Sequence, residues 1–198
     1  LHSFPTRRSS DLILPFGFLL SGFALLVSYL GQMNPQITPL MPVLVSPWLS
    51  IHVSLIMMSY ALLAFIMLNG ILALCLRKKE SENNVSGNDA IQDNRIEQLT
   101  LVSRLLLYPA TFFLGAGIFL GAVWANVSWG RYWAWDPKEV WALITFLVYG
   151  VAFHSQSLRI FRKPLFFHIY MILAFLTVLM TYFGVNYVLG GMHSYANA

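Results

Sequence analysis

The sequence predicts an all-α integral membrane protein: a polytopic helix bundle of about five transmembrane helices with one external Trp-rich segment. Three observations carry that reading. Of the 198 residues, 58% are hydrophobic and only 10% are charged, whereas an ordinary soluble domain is about one quarter charged. Apolar runs at about 13–30, 51–76, 105–123, 141–158 and 165–189 each approach the roughly 20 residues that a helix needs to cross a bilayer. No run alternates apolar and polar residues at period two, which argues against a barrel.

Taken in order, residues 1–12 (LHSFPTRRSSDL) hold no apolar core of signal-peptide length and no pattern continuous with residues 13 onward. They read as a non-native leader, and residues 13–198 as a single transmembrane domain whose native N-terminus is missing. The first span is short and begins beside Pro15. The connection 31–50 carries Pro35, Pro39, Pro42 and Pro47, so it cannot be regular helix throughout and reads as an extended crossing. The second span is followed by a loop over 77–104. Its polar part, residues 80–98, has balanced charge and low hydrophobicity and reads as a mobile segment without chemistry. The third and fourth spans flank the Trp-rich segment 124–141, and the fifth is followed by a short tail.

Basic residues orient these spans. Eight of the ten lysines and arginines beyond the leader fall in two connections, Arg77, Lys78, Lys79, Arg95 and Arg104 in one and Arg159, Arg162 and Lys163 in the other; only Arg131 and Lys138 lie in the Trp-rich segment. By the positive-inside rule the loop 77–104 is cytoplasmic, and the 31–50 connection, the Trp-rich segment and the C-terminus face the periplasm or its equivalent. The net charge of +4 is thereby explained by the membrane rather than by nucleic acid. Cys75 is the sole cysteine, so thiol chemistry would need a partner.

Five of the six tryptophans, Trp124, Trp129, Trp133, Trp135 and Trp141, fall within eighteen residues. They read either as an interfacial belt or as the platform for a large flat apolar ligand. Asp136, Pro137 and Glu139 have the spacing of a helix start, with Asp136 as N-cap and Glu139 completing a capping box. His52 lies at the outer end of the second span and His193 just beyond the outer end of the fifth. Either could be an interfacial histidine. A pair on one face beside an aromatic platform fits ligation of a porphyrin iron by neutral imidazoles. His154, in an apolar run about 13 residues beyond Trp141, is expected at depth, as a functional residue or hydrogen-bonded to a neighbouring helix. His168, beside Lys163, reads as interfacial.

The run WGRYWAWDPKEVWALIT, with IHVSLIMMSYALL before it and GVNYVLGGMHSYA after it, resembles the CcsA (ResC) family of cytochrome c biogenesis proteins over about residues 48–196. That family belongs to the haem-handling group named for its Trp-rich WWD domain. The resemblance implies that the WWD segment holds haem b as cargo, that His52 and His193 supply its axial ligands, and that His154 serves a transmembrane haem site. It further implies delivery of reduced haem for thioether attachment at CxxCH of apocytochrome c, with a CcsB (ResB) partner and a thioredoxin-like thiol reductant, in a bacterial cytoplasmic membrane. Trp124, Trp129, Tyr132, Trp133 and Trp135 are the expected haem-holding aromatics. Arg131 suits a propionate by charge and location, or is an ordinary interfacial arginine; Asp136 caps a helix, supports a propionate's partner, or does both. Rival readings are a CcmC-type haem exporter that hands haem to a chaperone, a b-type electron-transfer subunit, which would place histidine pairs inside the membrane, and a structural subunit without cofactor.

Overall fold

A computed structural model describes residues 46–83, 89–154 and 157–189, together with residues 18, 21 and 22, with side chains described for 46–77, 93–154 and 157–189 of the main part. Most of the expected first span, most of the 31–50 connection and the tail that carries His193 lie outside the described residues. The chain divides into two units, 1–41 and 42–198, and the second holds the helices and the cavity.

The described residues of this unit form four α-helices: α1 (Pro47–Asn83), α2 (Asp89–Trp129), α3 (Pro137–Val151) and α4 (Pro164–Leu179). A 3-10 turn, Ala152–His154, extends α3; another, Arg159–Arg162, precedes α4; and a π-helical segment, Met180–Leu189, continues α4. No strand occurs among the described residues. Three helical stretches, Pro47–Arg77, Asp93–Trp129 and Pro164–Leu189, are long and apolar enough to cross a membrane.

Lipid offers helices no hydrophobic reason to associate, so small residues and hydrogen bonds must hold them. The antiparallel pair α1 and α2 obeys that rule along its length. His52 Nδ1 lies 2.7 Å from the Gly117 carbonyl oxygen, Ser59 donates to the Ala110 carbonyl at 2.8 Å, and Asn69 donates to the Ser103 hydroxyl at 3.3 Å. Ser59, Asn69 and Ser103 are all buried. An apolar cluster that includes Leu63, Ile66, Leu107, Tyr149, Phe167 and Met171 joins the four helices. On the outer side of α2, Leu101, Leu105, Tyr108, Phe112 and Phe119 are exposed at helical spacing, as a lipid-facing stripe requires.

Several sequence expectations change. The polar run 80–98 is largely helix, since α1 continues to Asn83 and α2 starts at Asp89. Polarity does not oppose a helix, and Ile96 and Thr100 are buried there, which anchors the first turns of α2. At its other end α2 runs through Trp129, so the Trp-rich segment begins as helix and only residues 130–136 form a loop. The expected fourth span is short: α3 has 15 residues, a rise of about 22 Å against roughly 30 Å of hydrocarbon. It passes into the 3-10 turn where the sequence becomes polar. His154 therefore sits at the exposed end of that turn, not within an apolar helix, and its Nδ1 lies 3.2 Å from the Gly150 carbonyl oxygen. His168 is buried within the protein, with Nε2 2.9 Å from the Thr100 hydroxyl.

Candidate functional site

The loop between α2 and α3 is fixed by its own sequence. Gly130 supplies one left-handed residue, φ 74°, without a steric penalty. Trp135 supplies a second, φ 57°, which costs a residue with a Cβ roughly 1–2 kcal/mol. The capping box holds it there. Asp136 Oδ2 accepts from the Lys138 backbone N–H at 3.2 Å, while Glu139 Oε2 accepts from the N–H groups of both Ala134, at 2.9 Å, and Asp136, at 3.2 Å. One carboxylate oxygen thus ties down the residues on either side of the strained tryptophan. Asp136 as N-cap, Pro137 at the first helical position and Glu139 as its reciprocal partner are the helix start read from the sequence.

Behind this loop lies a cavity of about 220 Å³ lined by α1, α2, α3 and the π-helical segment. Its walls are chiefly apolar, with Ile56, Trp124 and Trp133 among them, and its polar groups are few: His52, Tyr60, Tyr132, Lys138, Glu139, Thr181 and Tyr182. Concave apolar walls with a small number of convergent polar groups are the usual form of a small-molecule site. The π-helix contributes Thr181 and Tyr182 to it.

His52 enters the cavity from α1. A carbonyl oxygen only accepts, so the proton shared with Gly117 resides on Nδ1. A backbone carbonyl fixing the tautomer in this way is the arrangement that prepares a histidine to ligate a metal through its other nitrogen. Close approach of the ring depends on Gly121, where a Cβ would lie 2.7 Å from His52 Cε1.

The expected aromatics separate. Trp124 and Trp133 line the cavity, with Tyr132 at its exposed edge. Trp129 packs edge-on against Trp124, ring centroids 4.9 Å apart, and Trp135 packs edge-on against Trp133 at 5.9 Å. These two support the wall from outside the cavity, and Trp135 is itself 74% exposed. Arg131 is exposed in the loop and does not line the cavity; Lys138 does. Its Nζ donates to Asn186 Oδ1 at 2.7 Å, and burial pushes its pKa below the ordinary lysine value, against an opposing pull from Asp136. Lys138, Tyr60, Thr181 and Tyr182 are the polar lining residues to which the sequence analysis gives no role in the site. Tyr60 and Thr145 both bond the Thr181 hydroxyl, the latter at 3.2 Å. The one available signal is the position of Lys138 on the first turn of α3, beside the cap that the sequence does reveal. Among the described residues no group of three or more histidines, cysteines or carboxylates could hold a metal ion.

Comparison with known proteins gives the family. Residues 3–193 match the family model described as cytochrome C assembly protein. The chain is 40% identical over 189 residues to protein NrfI of Wolinella succinogenes, covering 96% of this chain and 20% of that protein. It is 39% identical over 191 residues to cytochrome c biogenesis protein CcsA of Chlamydomonas reinhardtii, covering 96% and 51%. To the CcsA protein of Solanum lycopersicum it is 34% identical over 226 residues, covering all of this chain and 71% of that protein. The chain thus spans a fifth of the first of these relatives and about half of the second.

Proposed function

The chain belongs to the cytochrome c assembly protein family, and from that premise we propose that it binds haem b as cargo at the aromatic cavity and presents it for attachment to apocytochrome c. The observation that carries the proposal is His52, an imidazole whose Nδ1 lies 2.7 Å from the Gly117 carbonyl oxygen and which lines a cavity walled by Trp124 and Trp133. The donor set fits haem. Iron in a porphyrin already has four nitrogen ligands and needs only axial ones, and flat apolar walls suit the macrocycle.

In this reading His52 supplies one axial ligand and His193 the other, with the cavity on the periplasmic or outer side of a bacterial cytoplasmic membrane. The protein contributes orientation and protection, because the bond-forming step, addition of each cysteine S–H of CxxCH across a vinyl group of the haem, belongs to the reactants. Trp124, Trp133 and Tyr132 hold the ring; Trp129, Trp135 and Asp136 act through the wall and loop they support. His154 belongs to a second, transmembrane haem site, completed by a ligand from elsewhere, and its exposed position at the end of the 3-10 turn that extends α3 leaves it accessible to a partner of the CcsB (ResB) type. A thioredoxin-like reductant would keep the substrate thiols reduced.

The test is co-expression of the full-length protein and its partner with a reporter c-type cytochrome in a host without its own maturation genes. Covalent holocytochrome that is lost on His52→Ala supports the reading. Undiminished holocytochrome with His52→Ala contradicts it, and holocytochrome only when a separate haem chaperone is added favours the exporter alternative.

A further inference from the structure

His168 sits one turn into α4 and is 1% exposed. Its Nε2 lies 2.9 Å from Thr100 Oγ1, and the single hydrogen of that hydroxyl goes back along α2 to the Ile96 carbonyl at 2.7 Å. The threonine oxygen therefore accepts, and Nε2 carries the hydrogen of the pair. The other ring nitrogen, Nδ1, is buried and has no hydrogen-bond partner among the described residues. A buried polar atom in that state has given up water and gained nothing for it, which is costly and rare. Arg104 on α2 does not supply the bond, because its guanidinium donates to the Phe161 carbonyl and lies over the Phe167 ring at 5.0 Å.

His168 also lines a small cavity of about 10 Å³, separate from the aromatic one, with Ala73, Leu74 and Arg77 of α1, Ile96 of α2 and Leu165 of α4. One water needs a void of roughly 10–15 Å³ and two to four polar partners, so the cavity is of the size for a water and too small for an anion such as phosphate. Its polar side chains are those of Arg77 and His168. We infer that this cavity binds one water molecule, bonded to His168 Nδ1 and to the Arg77 guanidinium. The water thereby links α4 to α1 two turns from Gly70, whose missing side chain lets α1 approach the His168 carbonyl. A guanidinium only donates, whereas a water both donates and accepts, so the water serves Nδ1 whether or not that nitrogen carries a proton. The inference does not depend on what the aromatic cavity carries.

The experiment is an experimental structure of the full-length protein at a resolution that shows ordered water. A peak within hydrogen-bond distance of both His168 Nδ1 and an Arg77 nitrogen is expected. A cavity without a peak, or an Nδ1 bonded to a protein group, overturns the inference. Solid-state magnetic resonance of the full-length protein in bilayers, with isotope-labelled histidine, reads the same site without a map; His168 is identified by the signal missing from His168→Gln. Magnetisation is expected to pass from water to His168 Nδ1 in wild type, and the transfer to be lost in Arg77→Met, which keeps the stem and removes the donors. No transfer in wild type overturns the water site, and undiminished transfer in Arg77→Met overturns the bridge to α1.

Discussion

His52 Nδ1 lies 2.7 Å from the carbonyl oxygen of Gly117 on the neighbouring helix, and only the absent side chain of Gly121 lets the ring come so close. A Cβ at 121 would stand 2.7 Å from Cε1 and 2.8 Å from Nδ1 of a rigid imidazole. Gly121→Ala is therefore expected to tilt or expel the ring and to lower bound haem nearly as far as His52→Ala, although no ligand is removed. Gly117→Ala is expected to be milder, because its Cβ meets the terminal carbons of Ile56, which can rotate away. The haem-to-protein ratio of the two purified variants, with helix content checked by circular dichroism, decides this.

Glu139 holds the two N–H groups that bracket the left-handed Trp135. Glu139→Ala is expected to cost about 1–2 kcal/mol, since it removes a reciprocal cap and leaves both donors without that acceptor. In a Trp135→Gly background the cost should be smaller, because glycine adopts positive φ without strain. Thermal unfolding of the two single variants and the double variant in detergent measures the coupling.

Asp136 is buried, and its carboxylate accepts at the start of α3. Asparagine is also a good N-cap, so Asp136→Asn is expected to keep both stability and haem, whereas Asp136→Ala should lose about 1 kcal/mol. Loss of haem in Asp136→Asn at unchanged stability would show that the negative charge itself acts on the ligand.

Burial pushes the Lys138 pKa below its ordinary value of 10.5, so in the ligand-free protein the unfolded chain holds this proton more tightly than the folded one. Between the lowered folded value and 10.5 the unfolded state binds more protons, and this residue's contribution to stability rises with pH. Ligand-free Lys138→Gln is thus expected to be at least as stable as wild type at neutral pH, with its relative advantage shrinking as pH climbs toward 10.5. Melting curves across that range check the sign.

The features legible in the sequence are those encoded locally or by composition. Membrane class follows from the apolar runs, and the α3 start follows from Asp136, Pro137 and Glu139 alone, since a cap is closed within four residues. His52 and the tryptophans stand out as candidates because their types are unusual at their positions. Which tryptophans face inward is not legible: Trp129 and Trp135 are as aromatic as Trp124 and Trp133, and only the end of α2 at Trp129 and the positive φ of Trp135 separate them. Lys138 is hidden for the same reason, because its role depends on Asn186, 48 residues away. An apolar helix is expected around His154 because hydropathy does not register that α3 passes into a 3-10 turn at Ala152. The neighbouring Lys163 makes His168 read as interfacial, whereas packing against Thr100 decides its burial.

The most direct test of the central claim is an absorption spectrum of the full-length protein, purified in detergent with its partner, before and after dithionite, for wild type and for His52→Ala combined with His193→Ala. Wild type is expected to show a low-spin Soret band and a sharp alpha band on reduction, and the double variant to lose them. Wild-type protein without a Soret band, or a double variant with an unchanged spectrum and haem content, would contradict the assignment of this cavity as a histidine-ligated haem site.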